Sequence, residues 1–234
     1  MDGKKIGEGV NVSLKVSIAD EVLELVPDAN LGILSYSVEV EKSRGELLAY
    51  FNETVTEISS QLEISEIANL PRIKETREAY KALGKSPSQY RNASEAMLRR
   101  VVKGNGLYQI NNVVDIQNII SIRSGFSIGS YDQDKLEGDI QLRKAPAGER
   151  YDGIGKSDLN IENLPTLFDD RGAFGNPTSD SKRAIIQEGK RRIMSVVYAF
   201  TSELEELEKW LVEYEERLRQ FTNVTDIDLS IINS

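Results

Sequence analysis

Polar and apolar positions alternate from Val12 to Ile18 (VSLKVSI), which predicts a strand, and Leu31 to Val40 (LGILSYSVEV) reads as a second, more buried one. The period then changes. Leu47, Phe51, Val55, Ile58 and Leu62 recur at helical spacing, so this helix should lay one face on the core. Ser43, with Glu46 three residues on, predicts a capping box at its start. A further helix is expected over Ile73 to Leu83, stopped by Gly84. Asn92 and Glu95 predict another capped start, leading into SEAMLRRVV and ending at Gly104. NVVDIQNIISIRSG is ambiguous by itself: its Val and Ile content favours strand, while Gly125 suits a helix stop.

From Gly138 to Phe200 the chain is strand-like, in the runs GDIQLRKA, GERYDGIG, PTLFDDRGAFG and RAIIQEGKRRIMSVVYAF, divided by Gly, Pro, Asp and Asn turn residues. The last helix is the clearest element. Ser202 and Glu205 suggest a capping box, and Leu204, Leu207, Leu211, Tyr214, Leu218 and Phe221 step at heptad spacing for nearly three heptads. Docking on the chain's own sheet is expected in preference to a coiled-coil dimer. DIDLSII should close the fold as a strand. These elements are expected to form a single domain over residues 1–234, with strands and a helix to residue 70, a core to 200, and a closing helix and strand.

Composition narrows the chemistry. The chain has no cysteine and no histidine, which excludes thiol nucleophiles, disulfides, Cys/His zinc sites and an imidazole base. Metal would need oxygen ligands alone, and neither metal nor cofactor is expected. The opening MDGKKIGEGVNVSLKV has no apolar core of signal-peptide length, and no run is long enough to span a membrane, so the expected compartment is the cytoplasm.

The formal net charge is −9, which disfavours non-specific nucleic-acid binding. Between Pro71 and Ile110, however, nine basic side chains face only Glu75, Glu78 and Glu95. That excess marks either a solvated helical face or a phosphate-binding surface, with Arg91, Arg99, Arg100 and Lys103 as the candidate contacts.

Polar candidates gather in the second half. Asp115 and Asn118 would share a face if their segment is helical. Tyr131, Asp132 and Asp134 follow a turn at Gly129, and Glu149 follows Gly148. Asp169, Asp170 and Arg171 precede GAFGNPTSDSKR, a loop of small hydroxyl and amide side chains suited to a small ligand. Any of these alone is more often a turn or cap, and no catalytic triad, P-loop or dinucleotide fingerprint is present.

Several runs resemble one known module: VVDIQN, the G-x-x-I-G-x-Y-D run from Gly125 to Asp132, EGDIQLR, Gly148–Glu149 and GAFGNPTSD. Together, over about Arg77 to Phe200, they resemble the B3/B4 tRNA-editing domain of the phenylalanyl-tRNA synthetase β subunit, and more closely its free-standing relatives. The resemblance implies an α+β, three-layer sandwich in which VVDIQN is helical. It also implies hydrolysis of a mischarged aminoacyl-tRNA by a positioned water, helped by the terminal ribose hydroxyl.

Two family residues are replaced. Gly129 stands where the bacterial synthetase has a histidine. Pro177 stands at the place of the glutamate that recognises the tyrosine hydroxyl. The amino acid to be removed is therefore left open. Asp115, Asn118, Tyr131, Asp132, Arg143 and Glu149 match the wider pattern, although Arg143 and Glu149 equally suit a pair between strands.

The expected partners are tRNA and a small amino-acid moiety, with no membrane and the oligomeric state undetermined. Asn118, Gly129, Tyr131, Asn176, Thr178 and Ser179 are the expected substrate contacts, Gly129 giving backbone room for the ligand. Two main readings stand together: an aminoacyl-tRNA deacylase acting in trans, and a non-catalytic module binding RNA, an amino acid or a nucleotide. A protein-interaction role for the last helix's stripe is a third.

Overall fold

The computed structural model describes residues 14–233. Its first half runs β1 (Val16–Ile18), α1 (Asp20–Leu25), β2 (Ala29–Val40), α2 (Gly45–Gln61), α3 (Pro71–Leu83), α4 (Ala93–Val102) and α5 (Asn112–Ser124). Then follow β3 (Ser127–Asp132), β4 (Ile140–Lys144), β5 (Arg150–Gly153), β6 (Lys156–Asn160), β7 (Pro165–Asp169) and β8 (Gly172–Gly175). The chain closes with β9 (Gly189–Phe200), α6 (Leu204–Phe221) and β10 (Thr225–Ile232). Val12 and Ser13, the start of the first expected strand, lie outside the described residues, and β1 covers only its second half.

Two four-stranded sheets, ordered β10-β2-β9-β3 and β1-β4-β7-β8, stack with a helical layer to give three layers; β5 and β6 form a separate hairpin. The strict two-residue period of a strand sorts the core. In β2, Leu34, Tyr36, Val38 and Val40 face α2, α5 and α6. The intervening register, Ala29, Leu31 and Ile33, faces the second sheet. β9 divides likewise, with Ile193 and Val197 on the helical side and Met194, Val196 and Tyr198 between the sheets. Both strands are buried on both faces because they sit at the centre of a layered fold.

VVDIQN lies within α5, against its local strand propensity. Asn111 caps that helix by accepting from Val114 N–H, and Gly125 ends it in the left-handed region at φ 83. Tertiary burial overrides propensity here: Val113, Ile116, Ile119 and Ile120 all lie in the helical-side core. Gly84 ends α3 with the same left-handed conformation, as expected. The Asn92 cap also forms, its side chain accepting from Glu95 N–H at 2.9 Å.

The other two expected capping boxes do not form. Arg44 rather than Ser43 stands at the N-cap of α2, with no side-chain cap bond. Ser43 Oγ instead donates to Asp115 Oδ2 at 2.6 Å, because a buried carboxylate is the stronger acceptor. α6 begins at Leu204 with Glu203 before it, and no side-chain cap bond forms there either.

The heptad stripe of α6 packs on its own chain. Leu207, Leu211, Tyr214 and Leu218 are buried, while Leu204 is half-buried. Gly32 permits the approach, since a Cβ there would fall 2.6 Å from Leu211 Cδ2. Tyr214 OH and Tyr36 OH meet Ser195 Oγ at 3.1 and 2.9 Å, so these phenols are buried with partners.

Leu211→Ala is expected to cost about 2–5 kcal/mol in urea denaturation, the usual penalty for a buried leucine. Val212→Ala, on the exposed face of the same helix, should stay within about 0.5 kcal/mol of the parent. Equal effects at the two positions would contradict this docking.

Candidate functional site

The loop after β8 carries the small polar side chains, and its geometry starts with Asn176. Its Oδ1 accepts from the backbone N–H of Thr178 (2.8 Å) and of Ser179 (3.0 Å), an Asx turn that closes the loop on itself. Its Nδ2 donates to Tyr151 OH at 2.6 Å, and Tyr151 in turn donates to the Ser179 carbonyl. Thr178 Oγ1 meets Tyr80 OH, from α3, at 2.8 Å. Ser179 Oγ donates to the Ile154 carbonyl.

Beneath this loop lies an acidic group that composition did not single out. Tyr131 OH donates to Asp180 Oδ1 at 2.7 Å and also contacts Tyr198 OH at 2.7 Å. Since the one proton of Tyr131 is committed to Asp180, Tyr198 is the donor to Tyr131. Burial pushes the Asp180 carboxyl up to about 7, against the lowering effect of the Tyr131 hydroxyl and the Asn176 backbone N–H. Burial also raises the phenols of Tyr131, Tyr151 and Tyr198 well above their ordinary range, and the nearby Asp180 charge raises them further. These phenols therefore stay protonated donors, while Asp180 titrates near neutrality. A carboxyl of that acidity suits proton transfer at physiological pH.

Tyr131 reaches Asp180 through a slot between two glycines. A Cβ at Gly129 or at Gly175 would fall 2.1 Å from the Tyr131 hydroxyl. The room expected over Gly129 is thus occupied by the chain's own phenol. The ring edge also packs on Phe174, with centroids 4.9 Å apart.

α5 approaches this cluster through its neighbour strand: Gln117 Nε2 donates to the Ile128 carbonyl at 2.8 Å. Asn118 is half-buried one position along. Among the described residues no hydrogen bond joins it to Asn176, Thr178 or Ser179. Asp115 accepts from Ser43 and from Ile110 N–H, which pins the segments that lead into α2 and α5, and its carboxyl pKa is raised by burial. Asp132 accepts from Asp134 N–H and lies 3.6 Å from Arg191. The expected Arg143–Glu149 pair is not among the described ion pairs. Arg143 stacks over Phe168 at 4.9 Å instead, because the aromatic ring lies beside its strand. Asp169 holds Arg183 at 2.8 Å and joins Glu137 and Arg171 N–H, a structural knot beside β7.

The basic stretch folds around one carboxylate. Glu95 is fully buried and sits 3.0 Å from Arg77, 2.9 Å from Arg99 and 3.8 Å from Arg91. One negative charge thus fixes three guanidinium groups, leaving a local positive excess. Arg91, Arg99, Arg100 and Lys103 line a single groove of about 410 Å³ with Ala96 and Asn105. α4, which carries much of the groove's lining, touches the polar loop at its start, where Ala93 N–H donates to the Pro177 carbonyl at 2.7 Å.

Residues 75–205 match the family model described as "B3/4 domain", more than half of the chain. The chain belongs to the B3/4 domain family. Its curated relatives are larger proteins. The phenylalanine–tRNA ligase β subunit of Geobacter metallireducens is 27% identical over 95% of this B3/4 chain and 29% of its own length. The β subunit from Bifidobacterium longum is 31% identical over 39% of the chain and 12% of its own length. The B3/4 chain thus spans less than a third of these subunits. A crystal structure of an N-terminal fragment of the Pyrococcus horikoshii phenylalanyl-tRNA synthetase β subunit is a more distant likeness. It has a TM-score of 0.44 and 12% identity over 94% of this chain and 51% of the fragment. Among the described residues no helix is long and apolar enough to cross a membrane.

The loop's residues were legible from sequence as a run of amides and hydroxyls, but Asp180, Tyr198, Tyr151 and Tyr80 were not. Lone tyrosines carry no spacing signal, and their partners are far off in sequence.

Asp180 also sets a pH prediction. Its folded pKa of about 7 lies above the ordinary 3.8, so the folded state holds this proton more tightly than the unfolded chain. The associated stability is fully present below the unfolded value and is lost as pH rises through about 7. Asp180→Asn keeps an acceptor for Tyr131 and removes the titration. In urea melts between pH 4 and 8, the parent should lose a few kcal/mol more than the variant. Asp115 and Glu75 shift in the same direction, so the difference between the two proteins isolates Asp180. Parallel pH profiles would contradict the assignment.

Proposed function

We propose that the chain hydrolyses the ester of a mischarged aminoacyl-tRNA, acting on tRNA after its release from a synthetase. The observation that carries this reading is the bond from Ala93 N–H to the Pro177 carbonyl. It joins the start of α4, the helix that carries much of the arginine-lined groove, to a loop of amide and hydroxyl groups, so a phosphate backbone that follows α4 from the groove towards its start would bring its terminal ester to the loop. Membership of the B3/4 family supports the same reading, since the curated relatives are phenylalanine–tRNA ligase β subunits.

In this proposal, Arg91, Arg99, Arg100 and Lys103 hold phosphates, while Asn118, Gly129, Tyr131, Asn176, Thr178 and Ser179 belong to the aminoacyl site. Backbone amides of the loop stabilise the developing oxyanion. Asp180, titrating near neutrality, accepts the proton of the attacking water and returns it to the departing ribose oxygen. No imidazole is required. With Gly129 and Pro177 in place of the synthetase's histidine and glutamate, the amino acid removed need not be tyrosine.

A second reading, a non-catalytic binding module, is favoured by one feature: the loop's polar groups satisfy one another, and the Tyr131 phenol fills the space over Gly129. A panel of mischarged tRNAs separates the two. The deacylase should release at least one amino acid with a rate that rises through pH about 7, and Asp180→Asn should lower that rate on the order of 100-fold. Binding to every tRNA without release would favour the module.

The groove has its own test. Replacing Arg100 and Lys103 by glutamate spares the arginines that Glu95 holds, and should weaken tRNA binding while flattening its dependence on salt by about one unit of log–log slope per lost phosphate contact. Unchanged affinity in the folded double variant would remove the groove from the proposal.

A further inference from the structure

Beyond the C-terminus of α4, the chain displays an aromatic ring where none is needed for packing. Tyr108 is 68% exposed and lies in the connection from α4 to α5, with Arg100 Cζ 4.2 Å from its ring centroid. The display is anchored on both sides. Leu107 packs into the helical-side core, and Ile110 N–H is held by Asp115 Oδ1 at 2.8 Å. Gly104 and Gly106, at φ 76 and 57, supply the left-handed turns by which the chain leaves α4 just ahead of the first anchor. Arg100 serves both features, since its guanidinium carries the ring and it lines the basic groove. Its Nε is buried and has no hydrogen-bond partner among the described residues.

An exposed aromatic ring backed by a guanidinium, at the end of a groove lined by Arg91, Arg99 and Lys103, is the combination that holds unpaired nucleotides. The groove supplies phosphate contacts and the ring a π-face, which accepts any base. Duplex RNA offers no free base face to such a ring, because its bases are stacked on one another. A hydrophobic protein partner would have no use for the surrounding cations.

We propose that Tyr108, backed by Arg100, is a stacking platform for an unpaired nucleotide of RNA lying in the α4 groove. The inference deepens the tRNA reading and rests on it for the identity of the RNA. α4 has ten residues, so platform and polar loop stand roughly 15 Å apart along the helix. A strand of a few nucleotides would then run from the loop to the ring, with a base on Tyr108 several residues away from the ester.

Fluorescence anisotropy with a labelled, unstructured RNA octamer, and with the same sequence as a duplex, tests this on the whole chain. The parent should bind the single strand more tightly than the duplex. Tyr108→Ala should weaken single-strand binding about tenfold or more, with an unchanged salt slope and little change on the duplex. Tyr108→Phe should restore the affinity, because stacking needs the ring and not the hydroxyl. Circular dichroism checks that both variants are folded.

Equal affinity of parent and Tyr108→Ala for the octamer would overturn the platform, as would an equal loss on the duplex. The outcome is separable from deacylation. A chain that binds the octamer through Tyr108 yet releases no amino acid from any tRNA sustains the platform and sinks the hydrolase. Deacylation with an octamer affinity indifferent to Tyr108 does the reverse.

Discussion

The contact between Tyr131 and Asp180 ties together the parts of the fold on which the candidate site depends. Tyr131 comes from β3 in one sheet, and Asp180 from the loop that leaves β8 in the other. The hydroxyl between them also accepts a hydrogen bond from Tyr198 on β9. Sheet stacking alone would be non-directional, fixed only by apolar area. This bond adds direction, and it does so in a setting where an unpaired carboxyl would be costly. The raised pKa of Asp180 is the same fact viewed electrostatically: burial penalises the charge more than the Tyr131 hydroxyl and the Asn176 N–H stabilise it.

Much of the architecture was legible because strands and amphipathic helices write their burial into the sequence at fixed periods. β2, β9, α2 and α6 followed from spacing alone. α5 did not, since a helix buried on several sides loses its polar stripe and reads like a strand. Only the resemblance to the B3/B4 module resolved it. α1 was missed altogether, being six residues long and too short to show a period. The failed cap at Ser43 has a tertiary reason: a hydroxyl three residues before a glutamate is available for capping, but other partners compete for it. Asp115 won that competition at Ser43.

The candidate site was legible in outline and opaque in detail. The amide and hydroxyl loop and the excess of arginine were visible as composition. Their adjacency, through Ala93 and Pro177, was not. Nor could the sequence say that Glu95 would be the common anchor for Arg77, Arg91 and Arg99, because spacing predicts only the partners four residues away and not one from another helix. The charge surplus of that region was therefore real but overstated by counting: Arg72 meets Glu203, Lys81 meets Glu78, and Lys85 is spent on the carbonyls of Asn160 and Glu162. Among the described residues Arg100 and Lys103, at the end of α4, have no ion pair and face the groove.

The slot around the Tyr131 hydroxyl also constrains what substitutions can do in sequence. A Cβ at either Gly129 or Gly175 would fall 2.1 Å from that oxygen and 2.6 or 2.5 Å from the ring's Cζ. Neither glycine can therefore acquire a side chain alone, and Tyr131 cannot be moved without emptying a hole between two bare backbones. The three positions form an epistatic unit. A side chain at 129 by itself would break this arrangement, so it is compatible with the fold only together with a change at 131.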